Sequence, residues 1–372
     1  MLMPTDNVQL LIGGKTHGDW DSYEIDSDLM VPADGWHVSL GMTGGEMPPD
    51  VVPGAPVVLK VDGETVLTGR VDDIEHSITK NVHSFSLSGR DHAADLVDCS
   101  APIFDKQLIG LSEVIAALSR PFGITHHRIS ADSTRIQKKI NIEPGDTAWD
   151  ALVHAAEANG LWPWFDPDGT LVVGGPDYST PVVATLILRK SGDGNNVISL
   201  SKQESMQGRY SKVTVFGQTQ GTHTEQGKNN LKGTAYDTGV PWYRPKIVAD
   251  YECDNTEVCR DRARKIISDS RLNSLTLSAV VKGHHVTSDQ PPALLWMPGQ
   301  RVRVISEPHG IDAIYFVMAR KFTRGRNIGT RTTITLKEDG VWVLDAHPHN
   351  NKHRRGKNSV QAQILNIPGA AQ

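Results

Sequence analysis

Apolar and polar positions alternate one by one near both ends of the chain. In HSFSLSGRD, 83–91, Phe85 and Leu87 alternate with Ser84, Ser86 and Ser88. In TTITLKEDG, 332–340, Ile334 and Leu336 alternate with Thr333 and Thr335, and Trp36, Val38 and Leu40 follow the same rhythm. A two-residue period predicts strands with one buried face. Asp34-Gly35 and Val61-Asp62-Gly63 supply turn signals between such strands.

The middle of the chain changes to a helical rhythm. SEVIAALSR, 112–120, takes Ser112 as cap and turns Val114, Ile115 and Leu118 toward a core, and Pro121 stops it. A second helix starts near Asp146 or Thr147, with Trp149, Leu152, Val153 and Ala156 as its stripe and Gly160 at its end. The residues 161–165, then DPDG and LVV, predict a hairpin. A third helix covers about 256–273, with Cys259, Ala263, Ile266 and Ile267 inward and Arg260, Arg262, Arg264 and Lys265 in water. Residues 276–281 predict a strand. Core packing is the reading for Trp149, Trp162 and Trp164, because no basic stripe or polar sugar-binding array surrounds them.

The strand-rich ends share an order. PGAPVVL, 53–59, and PGQRVRV, 298–304, stand 245 residues apart; VLTGRVDDIEHS, 66–77, and YFVMARKFTRGR, 315–326, come next, followed by the two alternating stretches above. Pairing Phe85 with Ile334 and Leu87 with Leu336 gives an offset of 249 and implies a four-residue insertion. The shared order predicts a duplicated unit; two unrelated antiparallel domains with similar turns are the alternative. The first copy begins with NVQLLIGG. The second opens with ISLSKQESMQGRYSKVTVFGQ, 198–218, and resumes at PGQRVRV, so the material between them is an insertion rather than one loop.

Composition narrows the function classes. The 372 residues are 22% charged and 38% hydrophobic with a net charge of −5, which allows several cores and gives no global basic field for nucleic acid. No apolar run is long enough for a membrane span, and the amino terminus lacks the pattern of a secretory signal. Cys99, Cys253 and Cys259 form no disulfide framework and fit a reducing compartment.

Chemical motifs are weak. Cys253 and Cys259 are C-x₅-C, and neither His126-His127 nor His284-His285 has a local carboxylate set for zinc. HExxH, the phosphate loop and GxSxG are missing, and GMTGGEMPPD, 41–50, holds no dinucleotide fingerprint. Asp72-Asp73 and Glu75 fit a partly solvated strand as readily as a carboxylate pair. No catalytic, cofactor-binding or metal-ligating residue is assigned. The arginine-rich helix is read as a solvated or protein-contacting face, since no aromatic platform accompanies it.

Three blocks in order carry a resemblance: VPGAPVVLKVDGETVLTGRVDDIEHS, FSLSGRDHAADLVDC and GDTAWDALVHAAEANGLWPWFDPDGTLVV. Across about residues 8–340 the chain resembles the Mu-type contractile-phage baseplate hub family, the late-control or large tail proteins, and is similar to the hub module of type VI secretion spikes. The resemblance implies an α+β multidomain fold: two similar strand-rich, barrel-like units, an intervening small α/β domain and an inserted α/β segment. The corresponding boundaries are 1–97, 98–190, 191–219 with 291–345 for the split second unit, 220–290 for the insertion, and 346–372 for a tail. It further implies a homotrimer that adapts a spike or tail-tip protein to sixfold baseplate and tail-tube components around a central passage. DNA would pass without specific recognition, and no cofactor, catalytic step or membrane insertion is implied. Localisation follows as the virion tail baseplate, with assembly in the host cytoplasm. A tail-associated cell-wall or polysaccharide hydrolase and a monomeric ligand-binding module are the competing classes. Lys352, Arg354, Arg355 and Lys357 mark the tail as a flexible or partner-docking segment, with attraction to passing DNA as the weaker alternative, so a chain ending at 340 is expected to keep its oligomeric mass.

Overall fold

The computed structural model describes residues 6–42, 49–80, 83–102, 107–130, 136–139, 145–157, 159–218, 230–250, 253, 255–286, 293–325 and 328–342. The basic residues of the tail therefore lie outside the described residues.

The first unit contains β1 (Val8–Ile12), β2 (Lys15–His17), β3 (Ser22–Asp28), β4 (Gly35–Met42), β5 (Pro56–Val61), β6 (Glu64–Ile78) and β7 (His83–Asp91). They pair antiparallel in the order β2-β1-β5-β6-β7-β4-β3. The alternation foreseen for β4 and β7 is present: Trp36, Val38, Phe85 and Leu87 are buried. Asp62 and Gly63 both take positive φ, 48° and 88°, which is the backbone a two-residue hairpin turn demands between β5 and β6.

A small domain follows, built from α1 (Ala93–Asp98), β8 (Gln107–Gly110), α2 (Leu111–Ser119), β9 (His127–Ile129), β10 (Ile136–Lys139), α3 (Ala148–Glu157), β11 (Trp162–Phe165) and β12 (Leu171–Gly174). Val114, Ile115, Leu118, Trp149, Leu152 and Ala156 meet in its core, with Val153 packed at the margin. Thr147 caps α3 by accepting the Asp150 N–H at 3.0 Å. Ser112 is not a cap: α2 starts one residue earlier, behind Gly110. Leu111 is itself a buried residue, and its burial pulls the helix start back. Gly160, φ 66°, lets the chain leave α3.

The rest of the chain supplies β13 (Val182–Leu188), β14 (Ser199–Glu204), β15 (Lys212–Gly217), β16 (Leu231–Tyr236), β17 (Pro245–Ala249), α4 (Thr256–Leu272), β18 (Leu275–Lys282), β19 (Arg301–Ser306), β20 (Ile311–Gly325) and β21 (Gly329–Glu338). The division differs from the sequence reading at both ends of the insertion. KVTVFG, assigned to the second unit within 191–219, is β15, the middle strand of a separate β16-β15-β17 sheet. The strand assigned to the insertion within 220–290 is β18, which lies between β14 and β21 in the large sheet. A two-residue period shows that a strand has a buried face without showing which sheet it joins.

The duplication is visible in the ladders. The path β5-β6-β7-β4-β3 in the first unit corresponds to β19-β20-β21-β18-β14 in the second, antiparallel throughout. Gly54 donates to Val71 O at 2.8 Å and Val71 donates to Ala55 O at 3.0 Å; Gly299 donates to Val317 O and Val317 to Gln300 O, both at 2.8 Å. The long strands β6 and β20 bulge at that same place, after Val71 and after Val317. Register corrects the earlier alignment. Ile74 faces Leu87, and its counterpart Arg320 faces Ile334, so Leu87 corresponds to Ile334 rather than to Leu336. A two-residue slip keeps every side chain on its face, which is why alternation could not detect it. Gly89 corresponds to Leu336 and Trp36 to Leu277. A Cβ on Gly89 would sit 2.8 Å from the Trp36 ring, so one unit fills with a tryptophan over a glycine what the other fills with two leucines.

The two units do not stay separate. β3 and β20 pair antiparallel, joining both into one 13-stranded sheet over a shared core. Among the described residues no ladder closes either unit into a barrel, because the outer edge of β3 is already occupied by β20.

Candidate assembly interface

The β3–β20 ladder is the place to ask how such units associate. It runs from Ala319 opposite Asp28 to Arg324 opposite Tyr23. At its centre Phe322 faces Ile25, both wholly buried. Lys321 pairs with Glu24 at 2.5 Å on the wet side.

Arg320 is buried beside them. Its guanidinium donates to Ile25 O at 3.0 Å and Val66 O at 3.1 Å and lies over the Phe322 ring, 4.0 Å from its centroid. Burial lowers its pKa to about 10, against the opposing pull of Asp34 and Asp26. Desolvation likewise pushes the Asp34 carboxyl up to about 7 and that of Asp91 well above the usual range, Asp34 adding to the cost at Asp91 and Asp26 to the cost at both.

Phe322 also stacks on His284, with centroids 4.3 Å apart. The Thr332 hydroxyl donates to Gly283 O at 2.6 Å, so its oxygen accepts from His284 Nδ1 at 3.1 Å. His284 Nε2 is then the acceptor for the Tyr23 hydroxyl at 2.7 Å. Burial holds this imidazole neutral, its pKa down at about 4. Next to it His285 Nδ1 lies 3.0 Å from Asp6 Oδ1, and His285 Nε2 lies 3.9 Å from Asp62 Oδ2. Asp6, Asp62 and His285 are the three metal-capable groups that converge among the described residues. Their carboxylates are engaged by main chain: Asp62 accepts the N–H groups of Asp6 and Asn7, and Asp6 accepts that of His284. The cluster ties the start of the first unit to the second.

Other residues weighed in the sequence are dispersed. Cys253, just before α4, and Cys259, on the inner face of α4, are buried thiols in one core, and burial pushes the Cys253 thiol up. His127 opens β9 in the small domain and His126 precedes it, far along the chain from the junction. Asp72, Asp73 and Glu75 are exposed on β6, where Asp72 accepts from Arg90 at 2.6 Å. Trp149 is buried, and the Trp162 indole donates to Leu29 O at 2.7 Å, fixing the small domain to the first unit. Lys265 reverses its expected place: it is buried and meets Glu157 and Asp269, each at 3.0 Å, because α4 abuts the end of α3. An apolar recess of about 320 Å³ lined by Ile12, Trp20, Leu40 and Phe85 lacks the convergent charged groups of a reaction site.

Sequence reasoning missed Arg320, Tyr23 and Asp6. Arg320 did leave a signal. It occupies an inward position between Met318 and Phe322, where a charge has to be explained.

Four domain families match in succession. They are described as Mu phage baseplate assembly protein GpP-like, N-terminal (7–91), baseplate hub protein gp44-like, second domain (93–175), tail protein NMB1110-like, third domain (209–267), and tail protein, C-terminal domain (269–341). A tail protein from Neisseria meningitidis MC58 superposes with a TM-score of 0.81 at 38% identity, over 92% of this chain and 99% of that one. The chain belongs to the Mu-type baseplate hub and tail protein family. The 43 kDa tail protein of prophage MuSo2 from Shewanella oneidensis is similar at TM-score 0.80 and 25% identity, over 90% and 99% of the two chains. Baseplate hub protein gp44 of Escherichia phage Mu is 24% identical over 97% of this chain and 96% of its own. This hub family is structural rather than catalytic, and its place is the viral tail and baseplate.

Proposed function

We propose that three copies of this hub protein assemble around a central passage and adapt a spike or tail-tip protein to the sixfold components of a contractile tail. The observation that carries the reading is the head-to-tail junction of two equivalent units in one chain, β3 of the first on β20 of the second. Repeating that step through three chains gives six similar units on a ring, which matches a threefold spike to a sixfold tube. The family membership supports the baseplate setting; the type VI hub module is an extension of the same reading. Neighbouring baseplate and tail-tube proteins, assembly in the host cytoplasm and passage of DNA without sequence recognition belong to it as well. A reconstruction of purified particles at near-residue resolution tests it. Threefold particles with a through-going opening are expected, and any other symmetry or a closed centre overturns the proposal.

A further inference from the structure

The sequence around His285 holds no ligand set for a metal, yet the fold brings it two carboxylates from the other end of the chain. Asp6 lies just ahead of β1, Asp62 in the turn between β5 and β6, and His285 beyond the end of β18. Each offers one ligand atom, and these atoms all lie within 4.8 Å of one another. One ring nitrogen faces each acid: Nδ1 is 3.0 Å from Asp6 Oδ1, and Nε2 is 3.9 Å from Asp62 Oδ2. The second distance is too long for a hydrogen bond. Ligands about 2.0–2.2 Å from a shared ion stand roughly 3–4 Å from one another, so the cluster is already close to that spacing.

The donors are also held in place. Asp62 accepts the N–H groups of Asp6 and Asn7, and Asp6 accepts that of His284, each at 3.0 Å. A carboxylate has about four acceptor sites, so a main-chain bond aims an oxygen and still allows it an ion. The side chains of Asp6, Asp62 and His285 are 15%, 22% and 12% exposed, sheltered from bulk water but within reach of an ion. Among the described residues Asp6 pairs with this imidazole and with no lysine or arginine. The negative field is felt nearby: burial raises the pKa of the Tyr23 hydroxyl first, and Asp6 and Asp62 both raise it further.

We infer that Asp6, Asp62 and His285 together bind a divalent transition-metal ion, zinc being the one their chemistry fits best. One imidazole nitrogen with two carboxylate oxygens is a donor set that zinc accepts, with water completing the coordination. Calcium calls for about six to eight oxygen ligands, and magnesium keeps most of its water. Whichever ring nitrogen binds, the other still faces a carboxylate, the outer contact that orients a metal-bound histidine. The ion acts as a staple. Asp6 and Asp62 belong to the first unit, and His285 follows His284, whose ring stacks on Phe322 in the β3–β20 core. The site lies within one chain and is independent of the number of copies in the assembly.

Calorimetric titration of the chelator-stripped full chain with zinc tests the site. A single ion per chain is expected, together with a melting midpoint that rises with zinc concentration. His285→Gln and Asp62→Asn should each weaken binding at least about tenfold, the loss that even an outer-sphere partner causes. His126→Gln with His127→Gln, in the small domain, should leave it unchanged. A readout on the parent protein covers the case of a variant that does not fold. Zinc should slow diethyl pyrocarbonate modification of His285, mapped by peptide mass, and leave that of exposed His126 as it was. No zinc bound by the stripped chain overturns the inference and leaves an imidazole between two acids and nothing more. Binding that survives both cluster variants, or equal modification of His285 with and without zinc, places the ion elsewhere and overturns it too.

Discussion

Phe322 on β20 stands directly opposite Ile25 on β3, and neither side chain reaches solvent. The two units thus share a core instead of touching through a polar seam. Phe322→Ala removes a ring packed between the Arg320 guanidinium and the His284 imidazole and should cost about 3–5 kcal/mol. Lys321→Ala at the neighbouring exposed ion pair should cost under about 1 kcal/mol. Urea unfolding followed by tryptophan fluorescence compares them; equal midpoints for the two variants would contradict a load shared through the buried pair.

Helix α4 crosses the small sheet so closely that a Cβ on Gly233 would sit 2.1 Å from the Arg260 nitrogen. Gly233→Ala must therefore lift the helix from β16. Cys253, just before the helix, and Cys259, on its inner face, are buried between it and the sheet, and Cys99 is exposed, so a thiol reagent should label the native parent at Cys99 alone. The variant should label all three within the same interval. Labelling of Cys99 only in the variant would show that α4 tolerates the methyl group.

Stability should depend on pH through two opposed groups. Asp34, pushed up to about 7 by burial, keeps a proton in the folded chain that the unfolded chain sheds near 3.8, so stability falls as pH rises across that window. His284, held down at about 4, leaves the unfolded chain to bind a proton near 6.5 that the folded chain refuses, so stability falls as pH drops across that window. Asp34→Asn removes the first slope; its amide oxygen can still accept the Asp28 N–H, now 2.8 Å from Oδ1. Relative to the parent it should gain on the order of 1–3 kcal/mol at pH 8 and little at pH 5. Thermal melts at both values check this, and a gain equal at the two would assign the effect to packing.

Local chemistry was legible and long-range partnership was not. Thr147, Gly160 and the Asp62-Gly63 turn act within a few residues, and each lies where its residue type places it. The Pro-Gly signals found the duplication because each fixes a main-chain bond at the start of a bulged hairpin. The β3–β20 ladder joins residues about 300 positions apart through edges whose pattern is that of any half-buried strand. The Asp6 contacts with His284 and His285 are equally remote, and Lys265 was misplaced because its two acids come from different helices.

The far end of the second unit gives a sharp boundary. Val341 and Trp342 are buried with Leu272, Phe316 and Met318; Tyr178 donates to Trp342 O at 3.0 Å, and the Ser268 hydroxyl donates to Val341 O. A chain ending at 340, which the sequence treats as neutral, therefore removes part of a core. Losing the buried indole should cost about 3–5 kcal/mol. A chain ending at 342 keeps every one of these contacts and should unfold at the same urea midpoint as the full chain. Mass at matched concentration should be unchanged for the cut at 342, because every strand of both units is kept. For the cut at 340 the midpoint should drop while the tail residues removed by both cuts remain a common factor. Equal midpoints for the two truncations would mean that Trp342 contributes nothing to the second unit.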